Sequence, residues 1–375
     1  MKDIGIYIHI PFCQSRCIYC DFYSTTLGAE WQMRYIDALA NEMTSRLSEE
    51  FKDEKPRART IYIGGGTPSQ LTPAVLSQLW QELSQHFQIP DDIEITLEAN
   101  PDDVTPQWIA SLQQTPVNRI SMGVQSLCDD TLRFLHRRHT AEQVYQAVSL
   151  LRQAGYHELS LDLIYGLPHQ SLADFQRDLA AILQLGVPHL SAYALQFEPG
   201  TRLWQMRERG EINEADEEMM LAEYHYLIDT TAAHGMEHYE ISNFALPNHH
   251  SRHNSSYWTG LPYLGFGPGA HSYDGDRTRR ENLGDVQRYI QYYTSAMPEG
   301  EEPCIVETLN HDERYEEMVM LRLRTAAGLD LNQLEQQFGA SSRRYIERAA
   351  KPHLDCGNLQ KTGETLRLTR QSLFI

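Results

Sequence analysis

Three cysteines lie close together near the N-terminus, in the stretch CQSRCIYC. Cys13, Cys17 and Cys20 fall within eight positions, directly after the alternating apolar segment GIYIHIPF at 5–12. Zinc, bound by three thiolates and a fourth ligand, is one interpretation, although structural zinc sites usually consist of two close pairs. A 4Fe–4S cluster held by three thiolates leaves one iron without a protein ligand. The group of three therefore favours a cluster whose open iron can be chelated by a small molecule.

Unusual residues also follow the next predicted strands. The run GGGTP at 64–68 ends the second strand, and its glycines allow backbone N–H groups to approach a ligand closely. Glu98 ends the third strand, Gln125 ends the fourth, and Asp162 interrupts the apolar run of the fifth. A single carboxylate at a strand end is usually a helix cap or a turn residue. Functional groups in α/β folds gather at the carboxyl ends of the strands, so we expect these residues and the cysteines to converge.

The elements that must position these residues form a regular alternation. Six apolar, β-branched segments predict strands at 5–12, 59–66, 94–100, 119–126, 159–166 and 189–197. Amphipathic segments between them predict helices, for example at 31–47, 73–87, 142–155 and 172–186. Alternating strands and helices predict an α/β fold with a parallel sheet. The number and spacing of the units favour an open six-unit (β/α) partial barrel, and a doubly wound open sheet is the alternative.

The alternation of predicted strands and helices ends at residue 236, and we predict three domains: 1–236, 237–310 and 311–375. The middle segment carries clustered His, Tyr, Asn, Gly and Pro and predicts a loop-rich extension or binding flap. The last segment predicts three helices and a hairpin turning at Gly363, an order typical of a small winged-helix-like domain. It holds ten Lys/Arg and nine Asp/Glu, so we expect it to pack or to act as a lid and not to bind DNA.

Composition restricts the partners and the compartment. The 375 residues carry 32 Lys/Arg against 51 Asp/Glu, a net charge of -19, which argues against a nucleic-acid partner. No apolar run approaches the roughly 20 residues that would cross a bilayer, and the N-terminus is too short and polar for a secretory signal. We therefore expect a cytoplasmic location. The remaining cysteines, Cys128, Cys304 and Cys356, are scattered and predict small buried apolar side chains.

The pattern C-x-x-x-C-x-aromatic-C after a first strand resembles the signature of radical S-adenosylmethionine (SAM) proteins, and GGGTP resembles the glycine motif of that superfamily. The superfamily core is an open six-unit (β/α) barrel. The segments YIHIPFC, GGGTPS, LEANPDD, NRISMGVQS and LDLIYGLPHQ are similar to the branch that contains oxygen-independent coproporphyrinogen III oxidase and the HemW-type heme chaperones. The resemblance covers essentially the whole chain.

The resemblance implies a role for each matching position. Cys13, Cys17 and Cys20 would bind the 4Fe–4S cluster. Tyr7, Gly65 and Glu98 would lie beside the SAM bound to the open iron. The positions that would complete the SAM region are Tyr19, Gly66, Thr67, Gln125, Arg137 and Asp162.

Two departures separate this sequence from the oxidase. The oxidase has a further cysteine two residues after the third of the motif, and Phe22 stands at that position here. The oxidase also has an N-terminal extension that helps to close its site, whereas this sequence begins a few residues before the first strand. Both departures point to the chaperones.

The segment HNSSYW, which begins at His253, matches the HNxxYW motif of HemW-type proteins. A histidine beside aromatic residues suits heme, whereas an isolated loop histidine more often only donates or accepts a hydrogen bond. We expect heme contact here, with His249 and His250 as competing ligands. The expected function is that of a heme chaperone carrying a SAM-liganded cluster.

The partners implied are heme and a heme-acceptor protein, with peripheral membrane contact through the acceptor and a homodimer both left open. The alternatives are a coproporphyrinogen oxidase that cleaves SAM to start radical decarboxylation, and a zinc-stabilised binding module.

Overall fold

A computed structural model describes residues 3–52, 54–297 and 300–374, and its first part repeats strand and helix. Strands β1 to β6 are parallel and neighbours in chain order, so the alternation of six units is confirmed. The elements of this part are β1 Asp3–Ile10, α1 Gln32–Phe51, β2 Arg57–Gly65, α2 Pro73–His86, β3 Glu94–Ala99, α3 Pro106–Leu112, β4 Arg119–Gln125, α4 Asp129–Phe134, α5 Ala141–Gln153, β5 Glu158–Tyr165, α6 Leu172–Gln184, β6 His189–Ala194, α7 Arg202–Glu208 and α8 Glu217–Ala233.

The two faces of these strands differ because side chains alternate across a strand. On β1, Ile4, Ile6 and Ile8 are buried in the main apolar core beneath the helices. Tyr7 and His9 point the opposite way and line a cavity. Each fully buried Ile or Leu contributes roughly 1.5–3 kcal/mol, so the apolar outer face holds the sheet to its helices. The inner face is polar and lines cavities.

The segment after residue 236 extends both edges of this sheet, where we had expected a loop-rich extension. Its elements are β7 Glu237–Glu240, β8 Asn243–Ala245, α9 Arg252–Trp258, β9 Tyr263–Phe266, β10 His271–Tyr273, β11 Thr278–Asn282, α10 Val286–Thr294 and β12 Cys304–Thr308. Strand β8 pairs antiparallel with β6, and β9 pairs parallel with β1, which gives one sheet of twelve strands. These strands have only three to five residues, too few for a clear alternation in the sequence.

Helix α9 lies on the inner face of the sheet, between its two edges. The backbone N–H groups of Arg252 and His253 donate to the Glu94 carboxylate, each at 2.9 Å. The Arg119 guanidinium donates to the carbonyl of His249 at 3.2 Å. Because Glu94 and Arg119 are the first residues of β3 and β4, α9 closes the amino end of the partial barrel.

The C-terminal part has its own small core and sheet. Its elements are α11 His311–Leu323, β13 Leu329–Asp330, α12 Leu331–Asp355, β14 Leu359–Thr362 and β15 Thr365–Leu368. Gly339 has a φ of 85° and kinks α12, so the three predicted helices and the hairpin are present. Leu331, Leu334 and Phe338 form the centre of the core. This order is winged-helix-like, as expected, while the domain boundaries at 236 and 310 stay predictions. The helices of the described chain include none long and apolar enough to cross a membrane.

Candidate functional site

The three clustered cysteines lie on the loop that follows β1, and all three line one cavity of about 670 Å³. Backbone hydrogen bonds from Cys13 to Thr25 (2.9 Å) and from Thr25 to Pro11 (2.7 Å) fix the base of this loop. The thiols are half-buried and free of disulfides. Burial raises the pKa of Cys13, and it raises that of Cys20 to about 11. Positive charge from bound iron would have to stabilise the thiolates.

The glycine turn after β2 packs tightly against this loop. The Gly66 N–H donates to the Ile10 carbonyl at 2.7 Å. A Cβ at Gly66 would lie 2.9 Å from that oxygen and 3.0 Å from the Cys13 sulfur. The Thr67 hydroxyl donates to the same sulfur at 3.3 Å. The turn therefore has no room for a larger side chain beside the thiols, and it supplies one of them with a hydrogen bond.

Glu98 lies at the carboxyl end of β3, where two groups of the neighbouring strand β2 hold its carboxylate. Its carboxylate accepts from the Tyr62 hydroxyl at 2.7 Å and from the Gly65 N–H at 3.1 Å. Burial nevertheless raises the pKa of Glu98, because these two bonds only partly offset the loss of water. A ligand amino group or ribose hydroxyl at this position would supply a further donor.

Arg137 connects the cysteine loop to the strand ends. Its guanidinium donates to the Asn100 side chain at 2.7 Å, to the Gly123 carbonyl at 2.5 Å and to the Cys17 sulfur at 3.4 Å. Its Nε atom is buried and has no partner among the described residues. A planar guanidinium can also bind a carboxylate, so Arg137 could serve a ligand as well as a thiolate.

Asp162 lies deeper in the same cavity. Its carboxylate accepts from the Ser121 hydroxyl at 3.4 Å. Burial and then the nearby Glu98 raise the pKa of Asp162 to about 7. Tyr19 and Gln125 line the cavity wall too. Every residue predicted for the cluster and SAM lines this cavity except Tyr7, which lines a second, adjoining one.

His253, our predicted heme contact, lines a second, adjoining cavity of the site, and its ring makes contacts within the protein. It is fully buried, and its ring lies between the Thr60 and Tyr257 hydroxyls, with Nδ1 and Nε2 each at 2.8 Å. Burial lowers the pKa of His253 to about 3. Both ring nitrogens are engaged, so the side chain offers no nitrogen to iron in this conformation. The two competing residues are paired as well, His249 with Glu158 and His250 with Glu237.

The second cavity, of about 980 Å³, adjoins the first and contains the exposed end of the HNxxYW segment. Tyr257 and Trp258 line it, together with Phe22, whose side chain is 64% exposed. Asn254 lines both cavities, as does Phe22. Asn254 was not among the predicted site residues, since only the path of α9 across the inner face of the sheet brings it there.

Comparisons with known proteins identify the families that this chain resembles. Residues 7–182 match the Radical SAM superfamily, and residues 309–375 match the HemN C-terminal domain. The chain is 33% identical to the heme chaperone HemW of Bacillus subtilis, over 98% of this chain and 96% of that protein. It is 37% identical to HemW of Lactococcus lactis, over 91% of this chain and 86% of that protein. It is 36% identical to HemW of Mycobacterium tuberculosis, over 98% of this chain and 91% of that protein.

Among solved structures, coproporphyrinogen III oxidase (HemN) from Escherichia coli is similar in fold. The TM-score is 0.84 over 100% of this chain and 88% of that one, at 23% identity. With the cysteine loop, the glycine turn and both matched regions in place, this chain belongs to the HemW family of the radical SAM superfamily.

Proposed function

We propose that this protein is a heme chaperone. It would bind heme and a SAM-liganded 4Fe–4S cluster, and it would pass the heme to an acceptor protein. The curated relatives described above carry the name heme chaperone, which supports this proposal. Phe22 lines both cavities where they meet, and it is the observation on which we prefer the chaperone to the oxidase.

The cysteine loop suits a cluster better than a single metal ion. Within residues 3–52, 54–297 and 300–374, no three His, Cys, Asp or Glu side chains are placed so that they could hold one metal ion. In an iron–sulfur cluster each cysteine binds a different iron, so three thiols can surround one cavity without meeting at a point. Cys13, Cys17 and Cys20 would hold it, and the cluster would supply an open iron and one-electron chemistry.

The rest of the first cavity offers suitable groups to SAM. Glu98 and Asp162 can accept from an amino group or ribose hydroxyls, and Arg137 can bind a carboxylate. Gly65 has a φ of 113° and presents its backbone at the cavity wall. Tyr19 offers a ring for adenine, and Tyr7 would border the SAM from the second cavity. The remaining residues proposed for this site are Gly66, Thr67 and Gln125.

Heme would bind in the second cavity. Cavities of roughly 300–1,000 Å³ lined by aromatic side chains are typical ligand sites. Tyr257 and Trp258 would contact the porphyrin, and His253 would support them from below through its bond to Tyr257. The two cavities share Glu98, Tyr62, Asp21, Phe22 and Asn254, so heme and SAM would lie side by side. The proposal includes a cytoplasmic location and no nucleic-acid partner.

Coproporphyrinogen oxidase activity is the alternative function. The likeness to HemN at 23% identity concerns the fold. Phe22, in place of the oxidase's additional cysteine, puts a large apolar side chain on the wall of both cavities. This side chain favours contact with a porphyrin over a further thiol ligand.

One experiment separates the two functions. The protein is reconstituted anaerobically, then titrated with hemin and, separately, incubated with coproporphyrinogen III, SAM and a reductant. We expect saturable hemin binding, transfer of hemin to an apo-hemoprotein, and no decarboxylated porphyrinogen. Decarboxylation at the rate of an oxidase control, without hemin binding, would establish the alternative.

A further inference from the structure

The second cavity is built on the inner face of the sheet beyond β1. Strands β9, β10 and β11 continue the sheet there, and alternation places Tyr263, His271, Tyr273 and Arg279 on the face that lines the cavity. Helix α11 covers the opposite side. The cavity is therefore a groove between an aromatic sheet face and a helix, and we call it the interdomain groove.

His271 differs from the other histidines near this groove. It is exposed and lines the groove, and no hydrogen bond of its ring is found among the described residues. His9, the neighbouring histidine, is buried; its Nε2 donates to the Tyr23 carbonyl and its Nδ1 accepts from the Tyr7 hydroxyl. His253 is engaged at both nitrogens as well. Of these three imidazoles, only that of His271 is free to coordinate a metal.

We propose that His271 is an axial ligand of heme bound in the interdomain groove. This inference rests on the proposed heme-binding function and names its ligand and its site. Neutral imidazole is a common ligand of heme iron. Glu281 stands opposite His271 in the pairing of β10 with β11 and also lines the groove. A carboxylate in that position can accept from the second ring nitrogen and orient the imidazole.

The groove matches the other parts of a heme. Tyr257, Tyr263 and Tyr273 line the groove as an aromatic surface; the first two rings meet edge to face with centroids 4.7 Å apart, and the last two are tilted with centroids 6.5 Å apart. Met318 and Leu321 of α11 face them across the groove. A flat macrocycle of apolar character fits between two such surfaces.

Helix α11 provides a positively charged side chain that can pair with a propionate of the heme. Arg322 lines the groove, and its guanidinium donates to the carbonyl of Thr259 at 3.3 Å. Among the described residues it has no carboxylate partner, whereas Arg279 pairs with Glu317 and Arg314 with Asp276. A partly buried cation without a counterion is costly, and a propionate would neutralise it.

The test uses the full-length, cluster-loaded protein and two probes, hemin and iron-free protoporphyrin IX. His271→Ala should weaken hemin binding by at least about tenfold, since even residues that only support a metal ligand change affinity by about that amount. It should leave protoporphyrin IX affinity nearly unchanged, because that molecule has no iron. His157→Ala, which alters an exposed histidine outside the groove, is the matched control and should change neither. Added imidazole should restore the Soret difference spectrum of the His271→Ala complex.

Equal hemin affinity in the His271→Ala and His157→Ala proteins would overturn the inference and leave the heme-binding function intact. Parallel loss of hemin and protoporphyrin IX without rescue by imidazole would also overturn it, because the residue would then only shape the groove. A wild-type protein that fails to bind hemin would overturn the proposed function together with this inference.

Discussion

The imidazole Nδ1 of His253 lies 2.8 Å from the hydroxyl of Thr60, a side chain in the middle of β2. This contact fixes α9 against the inner face of the sheet. The Tyr62 ring lies on the same strand, with its centroid 5.1 Å from that of His253. The HNxxYW segment is therefore anchored by its histidine and presents its aromatic end to the interdomain groove.

Replacement of His253 by Ala should destabilise the protein without removing its heme ligand. The substitution leaves a buried cavity and unpairs the Thr60 and Tyr257 hydroxyls, for which we expect a loss of about 2–4 kcal/mol in the free energy of unfolding. Urea denaturation measures this loss, and hemin titration of the folded variant should show little change. Full stability with abolished hemin binding would instead make His253 the ligand.

The cluster should depend on the three loop cysteines and on no other. Cys17→Ser should abolish stoichiometric iron and sulfide after anaerobic reconstitution, because an alcohol oxygen is a poor substitute for a thiolate on iron. Cys128→Ser, outside the loop, is the control and should retain both. The assignment would be wrong if Cys17→Ser retained iron and sulfide while Cys128→Ser lost them. The prediction that the three scattered cysteines are buried is wrong, because Cys128 and Cys356 are exposed and Cys304 is half-buried.

Glu98→Gln should weaken SAM binding more than it weakens the fold. The amide keeps an acceptor for the Tyr62 hydroxyl but loses the charge that a SAM amino group would meet. Hydrogen bonds to charged groups are worth about 1.5–3 kcal/mol, so we expect roughly a ten- to hundredfold loss of affinity by calorimetry. Glu142→Gln, on the outer helix α5, should leave SAM affinity as it is. Unchanged affinity in Glu98→Gln would remove this residue from the site.

Asp162 should make stability depend on pH. Its pKa in the folded chain is raised from 3.8 to about 7, so between these values the folded protein holds a proton that the unfolded chain has released. The free energy of unfolding should therefore fall as pH rises from about 4 to 7, by at most about 1.4 kcal/mol per pH unit from this group. Denaturation of the SAM-free protein at several pH values measures this dependence. In Asp162→Asn the free energy of unfolding should change less steeply with pH. Identical slopes in both proteins would contradict the raised pKa.

The sequence was sufficient to predict the six-unit core. Strands β1 to β6 are buried on one face and long enough for apolar residues to mark them, as Ile4, Ile6 and Ile8 do in β1. The residues at their carboxyl ends converge because parallel strands end on the same side. The resemblance to a known family added the ligand roles, which spacing alone would not have supplied.

The region proposed to contact heme could not be predicted in the same way. Which partners the His253 ring meets depends on the path of α9 between β8 and β9, which local sequence does not determine. His271 lies in a three-residue strand among glycines, with no periodicity to distinguish its exposed side. Long-range strand pairing decides both positions, and the sequence carries only weak signals for such pairing.

The parallel pairing of β1 with β9 has a consequence for synthesis. β1 begins at residue 3, but its partner on that side begins at residue 263. A chain emerging from the ribosome would carry an open strand edge on β1 for most of its translation, and exposed edges promote pairing with other chains. Capture of that edge by β9 would come late in synthesis, and it also begins the sheet side of the interdomain groove. Nascent chains stalled before residue 263 should consequently depend on general chaperones, while those released after β9 has formed should not.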